Sequence, residues 1–168
     1  MDVGWNWTAA VYGAMNPEDG TLHLYREYLQ GEALPVVHAA AIGRELKGAI
    51  DWAGTDLTDG KRMIDVYRDL GLRVLPAHKE VESGIQKGLD LMTTGKLKCF
   101  SNLIATRKQF REYARDEKGH IQRQGKGLRR DLVDASRYLW MTPGILSVQS
   151  GEKTQATGYS GAGSWRGA

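Results

Sequence analysis

Four aspartates stand where their side chains could do chemistry. Asp2 lies between Met1 and Val3, with Gly4 and Trp5 close behind, and Asp51 lies between Ile50 and Trp52. Asp131 and Asp134 fall in the segment Arg130-Asp131-Leu132-Val133-Asp134-Ala135-Ser136-Arg137-Tyr138-Leu139-Trp140. Asp2 and Asp51 interrupt apolar residues rather than a run of charge. A carboxylate on a core strand is costly to bury unless something cationic pairs with it. Two such carboxylates side by side would force one to protonate. A divalent cation removes both problems, and oxygen ligands of this kind favour Mg²⁺ or Mn²⁺ over zinc. Asp2, Asp51 and Asp134, drawn from two strands and a helix, make the set a two-metal phosphoryl-transfer site requires, with ions ~4 Å apart around a phosphodiester. The plainer explanation is that Asp2 is solvated near a chain end. Asp131 and Asp134, three residues apart on one helical face, would then neutralise Arg129, Arg130 and Arg137. Helical spacing taken alone favours those ion pairs.

Other chemistries find less support. His23, His38, His78 and His120 show neither zinc-ligand spacing nor a serine or cysteine partner motif, and read as structural or surface residues. The Gly54–Lys61 loop fails as a phosphate loop. Five residues rather than four separate Gly54 from Gly60, and Arg62 stands where a hydroxyl residue would hold Mg²⁺. Basic residues gather in two places. Arg107, Arg111 and Arg115 follow i, i+4, i+8 spacing with Lys108 alongside, and Lys126, Arg129 and Arg130 lead into the aspartate segment. Beside acidic metal ligands, such a stripe fits a backbone phosphate track. Any one of these cations is otherwise an ordinary solvated residue. Lys79 is a further candidate phosphate contact on the same terms.

These side chains must be positioned by a mixed α/β framework. Residues 8–14, small, β-branched and aromatic, suit a buried strand that begins near Asp2. A turn at Asn16-Pro17-Glu18-Asp19-Gly20 leads into a second strand over 21–29, which makes an antiparallel hairpin. Pro35 opens a helix through Leu46, with Val36, Val37, Ala40, Ala41 and Leu46 as its apolar face and Gly48 at its end. Further strands are predicted over 49–53, 72–76 and 97–100. Further helices are predicted over 61–70, 81–93 (Ile85, Leu89 and Met92 inward), 106–116 and 128–141, the last packing through Leu128, Leu132, Ala135 and Leu139. Glu117-Lys118-Gly119 reads as a turn, His120–Gln122 as a short strand and Gly125-Lys126-Gly127 as a flexible link. A hairpin followed by βα units gives a mixed sheet with helices on its faces, as in an RNase H-like fold. A doubly wound flavodoxin-like sheet has the same periodicity.

With 168 residues, one domain is the default. The boundaries predicted are 1–147 for the domain and 148–168 for a tail rich in glycine, serine and threonine. A net charge of +3 is compatible with a nucleic-acid partner without establishing one. Cys99 has no partner for a disulfide and reads as packing. No signal peptide is expected, because the first residues lack a basic region before an apolar core, and no apolar run reaches the ~18–20 residues that span a membrane. A core strand that starts almost at the first residue is what a domain cut from a longer chain would show.

Taken in order, these segments resemble the C-terminal nuclease domain of bacteriophage terminase large subunits, the DNA-packaging motors. The resemblance rests on Asp2-Val3-Gly4-Trp5-Asn6, on Asp51-Trp52-Ala53-Gly54 with Asp59-Gly60, and on Tyr67 to Gly71. It continues through Pro76-Ala77-His78-Lys79-Glu80-Val81-Glu82-Ser83-Gly84-Ile85, Glu112-Tyr113 with Asp116-Glu117-Lys118-Gly119, and Asp131 to Tyr138. Arg130, where the family often has Asp, and Trp52, where proline is common, depart from the pattern. The resemblance implies an RNase H-like fold and a Mg²⁺- or Mn²⁺-dependent endonuclease that cuts concatemeric viral DNA during packaging in the host cell cytoplasm. It carries the metal ligands to Asp2, Asp51 and Asp134, with Asp131 as ligand or helper. It also implies an N-terminal ATPase domain on the same polypeptide, and a small terminase subunit and a portal protein as partners. Two other readings share these residues: another RNase H-like nuclease, of the Holliday-junction resolvase or RNase H type, and a non-catalytic DNA- or portal-binding module.

Overall fold

The run of small, β-branched and aromatic residues from Thr8 forms the central strand, β2 (Thr8–Met15). Its Ala9 and Val11 pack with Leu22, Leu24, Leu103, Leu132 and Trp140 on one face. Its Ala10 and Tyr12 pack with Ile42, Ile50, Ile64 and Tyr67 on the other. A strand buried on both sides has no polar face to alternate with, which is why its sequence is almost continuously apolar. The computed structural model describes residues 1–4, 6–45, 47–51, 62–115, 117, 121 and 129–146. The Gly54–Lys61 loop, Lys126 with its flexible link, Leu128, most of 116–122 and the tail over 148–168 lie outside the described residues.

The hairpin forms as expected. β3 (Leu22–Gln30) runs antiparallel to β2 from Thr8↔Gln30 to Met15↔Leu22, with a bulge opposite Tyr12 and Gly13. Side chains build its turn: Glu18 N–H donates to Asn16 Oδ1 (3.1 Å) and Thr21 N–H to Asp19 Oδ1 (2.8 Å). One strand expectation is corrected. Asp2 does not begin the strand that continues through Thr8. It lies on a separate strand, β1 (Asp2–Val3), which folds back antiparallel on β2 with Asp2↔Ala9 and Val3↔Thr8.

β6 (Leu97–Cys99) joins β3 in parallel, giving the order β1-β2-β3-β6. Cys99 is half-buried there beside the apolar cluster, as packing requires. β4 (Lys47–Ile50) and β5 (Arg73–Pro76) pair in parallel as a second sheet. Met1 joins the two sheets. Its amine donates to Ala49 O (2.5 Å) and its carbonyl accepts from Asp51 N–H (3.0 Å). That is the spacing of a parallel ladder with Met1 opposite Ile50.

Helices cover both faces. α1 (Pro35–Ile42) and α2 (Met63–Asp69) contribute to the cluster around Ile50, and α4 (Ile104–Glu112) and α5 (Asp131–Met141) to the cluster around Leu132. α3 (Val81–Thr93) packs on α5.

Two predicted helix faces are wrong. α1 stops at Ile42, Gly48 lies in β4, and α1 buries His38, Ala39 and Ile42 while Val36 and Val37 are exposed. The helix is apolar nearly all round, so periodicity could not choose a side. His38 is buried because its Nδ1 meets the Tyr28 hydroxyl at 2.7 Å. On α3 the inward residues are Gly84 and Gly88, while Leu89 and Met92 are exposed. A Cβ on Gly84 would lie 2.6 Å from Arg137 Cγ, and one on Gly88 2.8 Å from Trp140 Cζ2. The crossing of α3 and α5 therefore depends on two absent side chains, which a search for large apolar residues passes over.

Candidate active site

The pairing of Met1 with Ile50 settles where the first two carboxylates fall. Asp2 and Asp51 each follow the paired residue by one, so they leave neighbouring parallel strands in register, on the same face. The first turn of α5 brings Asp131 and Asp134 to that edge, where the helix N-terminus favours negative charge. Gln109 fixes this end of α5 by accepting Leu132 N–H on its buried Oε1 (2.8 Å). Trp140 holds the far end, donating its indole N–H to Gly84 O (3.0 Å).

The electrostatics follow from this arrangement. Burial pushes the Asp2 carboxyl up to about 7, and the charges of Asp134, Asp51 and, more weakly, Asp131 add to the rise against the opposing chain-terminal amine. Asp51 and Asp134 are met by protein groups. Asp51 Oδ1 holds the Lys79 ammonium, and its Oδ2 accepts from the Tyr138 hydroxyl (3.2 Å). Asp134 Oδ1 binds Arg137 Nη2 at 3.0 Å, and its Oδ2 lies 3.6 Å from Arg130 Nε. Arg137 is itself buried, with Nη1 donating to Lys79 O at 2.9 Å, so one guanidinium ties the aspartate helix to the segment that carries Lys79. Burial and the surrounding carboxylates of Asp2, Asp51 and Asp134 hold the Tyr138 phenol far above its usual range, which keeps it a donor. Asp131 is buried at the edge of the same cluster. In this arrangement no three His, Cys, Asp or Glu side chains among the described residues stand close enough to share one ion.

The predicted basic residues separate. Lys79 and Arg130 are in the cluster. Arg107 and Arg111 are exposed on α4. Arg115 does not continue their stripe: α4 ends at Glu112, and Arg115 pairs instead with Glu82. The chain bends there because Tyr113 is extended, with φ −73° and ψ 104°. Arg129 stacks on Trp7, its Cζ 3.2 Å from the ring centroid. Lys126 lies outside the described residues. Sequence reasoning missed Tyr138 as a partner of Asp51, and took Arg137 for a surface ion-pair partner although it is a buried tie between segments. The available signal was their spacing, three and four residues beyond Asp134, which places both on its side of the helix.

Comparisons with known proteins point one way. A family model described as "Terminase RNaseH-like domain" matches residues 1–142. Terminase large subunits of Enterobacteria phage LP7 and Salmonella phage P22 are each 36% identical over 89 residues, 49% of this chain. The match covers only 18% and 17% of those proteins. Among solved structures, the P22 large terminase nuclease domain superposes with a TM-score of 0.72 at 29% identity, covering 83% of this chain and 77% of that one. The large terminase from a thermophilic bacteriophage superposes with a TM-score of 0.67 at 17% identity, over 87% of this chain and 38% of that one, a likeness of fold.

Proposed function

The chain belongs to the terminase RNase H-like domain family, and on that premise we propose that it is the metal-dependent endonuclease domain of a viral DNA-packaging terminase, hydrolysing phosphodiester bonds in concatemeric double-stranded DNA. The observation that carries this reading is the meeting of Asp2, Asp51 and the first turn of α5 at one sheet edge. The donor set is wholly carboxylate, which suits Mg²⁺ or Mn²⁺, and the Asp2 carboxyl, raised first by burial and then by Asp134 and Asp51, is a group whose charged form a bound cation would favour. Asp2, Asp51 and Asp134, with Asp131 beside them, would hold two such ions. Bound there, they would supply an activated water and stabilisation of the leaving oxygen.

The protein groups have their own parts. If a metal took the Asp51 carboxylate, Lys79 would give up that ion pair, and its ammonium would stand beside a backbone phosphate bound at the site. Tyr138 holds the orientation of Asp51 from behind, and Arg137 does the same for Asp134. Arg107 and Arg111 on the exposed face of α4, with Arg115, Arg129, Arg130 and Lys126, are candidates for phosphate contacts along double-stranded DNA. Within the packaging motor, the partners would be an ATPase domain on the same polypeptide, the small terminase subunit and the portal, in the host cell cytoplasm.

Plasmid nicking tests this function. The protein with Mn²⁺ should convert supercoiled DNA to nicked and linear forms, and Asp51→Asn should reduce the rate by at least ~100-fold. Equal cleavage by Asp51→Asn would show that the metal site is misassigned. Retarded DNA mobility with no nicking under any divalent metal would identify a binding module instead.

A further inference from the structure

The reversal between β1 and β2 carries an aromatic side chain with no part in the chemistry above. Thr8 Oγ1 donates to Gly4 O (3.3 Å) and closes the turn. The register Val3↔Thr8 puts residues 4–7 beyond the end of β1 that carries Asp2. Asp51 leaves β4 at the corresponding end. The reversal therefore lies on the same sheet edge as the aspartates, the edge where an open α/β sheet collects its ligands.

Trp7 has a built seat there. Gly31, just past the end of β3, lies against it: a Cβ on Gly31 would collide with Asn6 O and come within 3.3 Å of Trp7 Cδ2. Arg129 covers the indole, with its Cζ 3.2 Å from the ring centroid. At that distance the guanidinium has to lie flat, because an edge-on approach would drive its nitrogens into the ring. A guanidinium lying flat directs its N–H groups sideways, along the indole face, where they can donate. Trp7 remains 37% exposed, so the stack is open to a large ligand.

Arg129 differs from the cations around it. Arg130 and Arg137 hold Asp134, and Lys79 holds Asp51. Arg129 has no ion pair among the described residues, and its Nη1 is buried without a hydrogen-bond partner among them. A charged donor left that way is costly. Its planar fork matches the two oxygens of a phosphate, and it stands two residues before Asp131 in the chain.

We infer that Trp7 is a positioning residue, which holds Arg129 flat so that its donor fork takes a DNA backbone phosphate flanking the scissile one. The inference rests on the DNA-cleaving reading above. The scissile phosphate would lie with Lys79 and the aspartates, and Arg129 pairs with none of those carboxylates among the described residues, so its own phosphate is a neighbouring one. Lysine in place of Arg129 would keep the charge without the plane or the fork.

The test measures fluorescence anisotropy of a short labelled duplex in EDTA across a salt series. Arg129→Gln should weaken binding about tenfold and reduce the slope of log affinity against log salt by about one. Trp7→Ala and Arg129→Lys keep the charge but lose its orientation, and should weaken binding about three- to tenfold with the slope retained. Trp7→Phe should recover most of the loss seen in Trp7→Ala. Adding Trp7→Ala to Arg129→Gln should cost nothing further. In cleavage with Mn²⁺ the losses should appear in KM rather than kcat. Equal affinity and equal salt slope for Arg129→Gln and the parent would overturn the inference, as would additive losses in the double variant. Weakened Mn²⁺ binding with unchanged KM would also overturn it, making the stack only a tie between the reversal and α5. Affinity is read without cleavage, so a parent that binds DNA but never nicks it would refute the nuclease reading alone. A parent that does neither would refute both.

Discussion

Asp2→Asn should make the metal-free protein more stable at pH 8 while abolishing its response to metal. The Asp2 carboxyl is raised from 3.8 to about 7, first by burial and then by Asp134, Asp51 and Asp131. A carboxyl with a raised folded-state value stabilises the fold fully below its unfolded value, and that contribution disappears as pH rises through the folded one. The window therefore runs from about pH 4 to about pH 7. A rise of this size corresponds to about 4 kcal/mol at its upper end, and screening by solvent at the sheet edge halves that to about 2 kcal/mol. For a domain of this length the melting temperature should differ by about 4–8 °C. The assay is thermal unfolding in EDTA from pH 4 to pH 8.5 for the parent and Asp2→Asn. The chain-terminal amine, lowered to about 6 by burial, works in the opposite sense, stabilising above its unfolded value of 8.0 and losing that contribution as pH falls through about 6. It is present in both proteins, and because the Asp2 charge raises it, their difference reports Asp2 together with its coupling to that amine. The difference should be near zero at pH 4 and favour Asp2→Asn at pH 8. Added Mn²⁺ should raise the melting temperature of the parent and leave Asp2→Asn unchanged. A variant less stable than the parent at pH 8 in EDTA would refute the reasoning.

Other perturbations test the supports of the site. Gly88→Ala places a methyl 2.8 Å from Trp140 Cζ2 and should cost about 1–3 kcal/mol in urea unfolding by forcing α3 away from α5. Gln109→Leu leaves the Leu132 N–H at the start of α5 without its acceptor. It should cost about 1–3 kcal/mol and weaken Mn²⁺ binding, read by calorimetry, since the same turn carries Asp131 and Asp134. Lys79→Met removes the ammonium that holds Asp51. Mn²⁺ should bind several-fold more tightly while the cleavage rate falls, whereas weaker binding would show that Lys79 supports the carboxylate arrangement rather than competing with metal.

The acidic residues were legible because a charge embedded in an apolar strand violates the pattern around it. Asp2 and Asp51 each stand out that way, and their juxtaposition follows from strand pairing at Met1 and Ile50. The bounds of α3, Val81–Thr93, were legible for a similar reason, since Gly95 and a basic, β-forming stretch follow. Faces were harder. α1 has apolar residues on nearly every side, so only the Tyr28 hydroxyl, remote in sequence, explains why His38 points inward. α3 meets α5 through Gly84 and Gly88, whose contribution is space rather than surface. The separation of Asp2 from the central strand depends on a reversal between Val3 and Thr8, for which alternation carries no signal. The ties from Arg137 to Lys79 and from Tyr138 to Asp51 join segments more than 50 residues apart, and local spacing, which places both side chains on the Asp134 side of the helix, contains no record of these distant partners.

The central claim is that Asp2, Asp51 and Asp134 hold the catalytic divalent ions. Its most direct test is anomalous diffraction from crystals of this protein equilibrated with Mn²⁺. Manganese peaks bounded by Asp2, Asp51 and Asp134, with the Lys79 ammonium displaced from Asp51, are the result predicted here. A saturating Mn²⁺ soak that leaves Lys79 on Asp51 and no manganese between these carboxylates would contradict it.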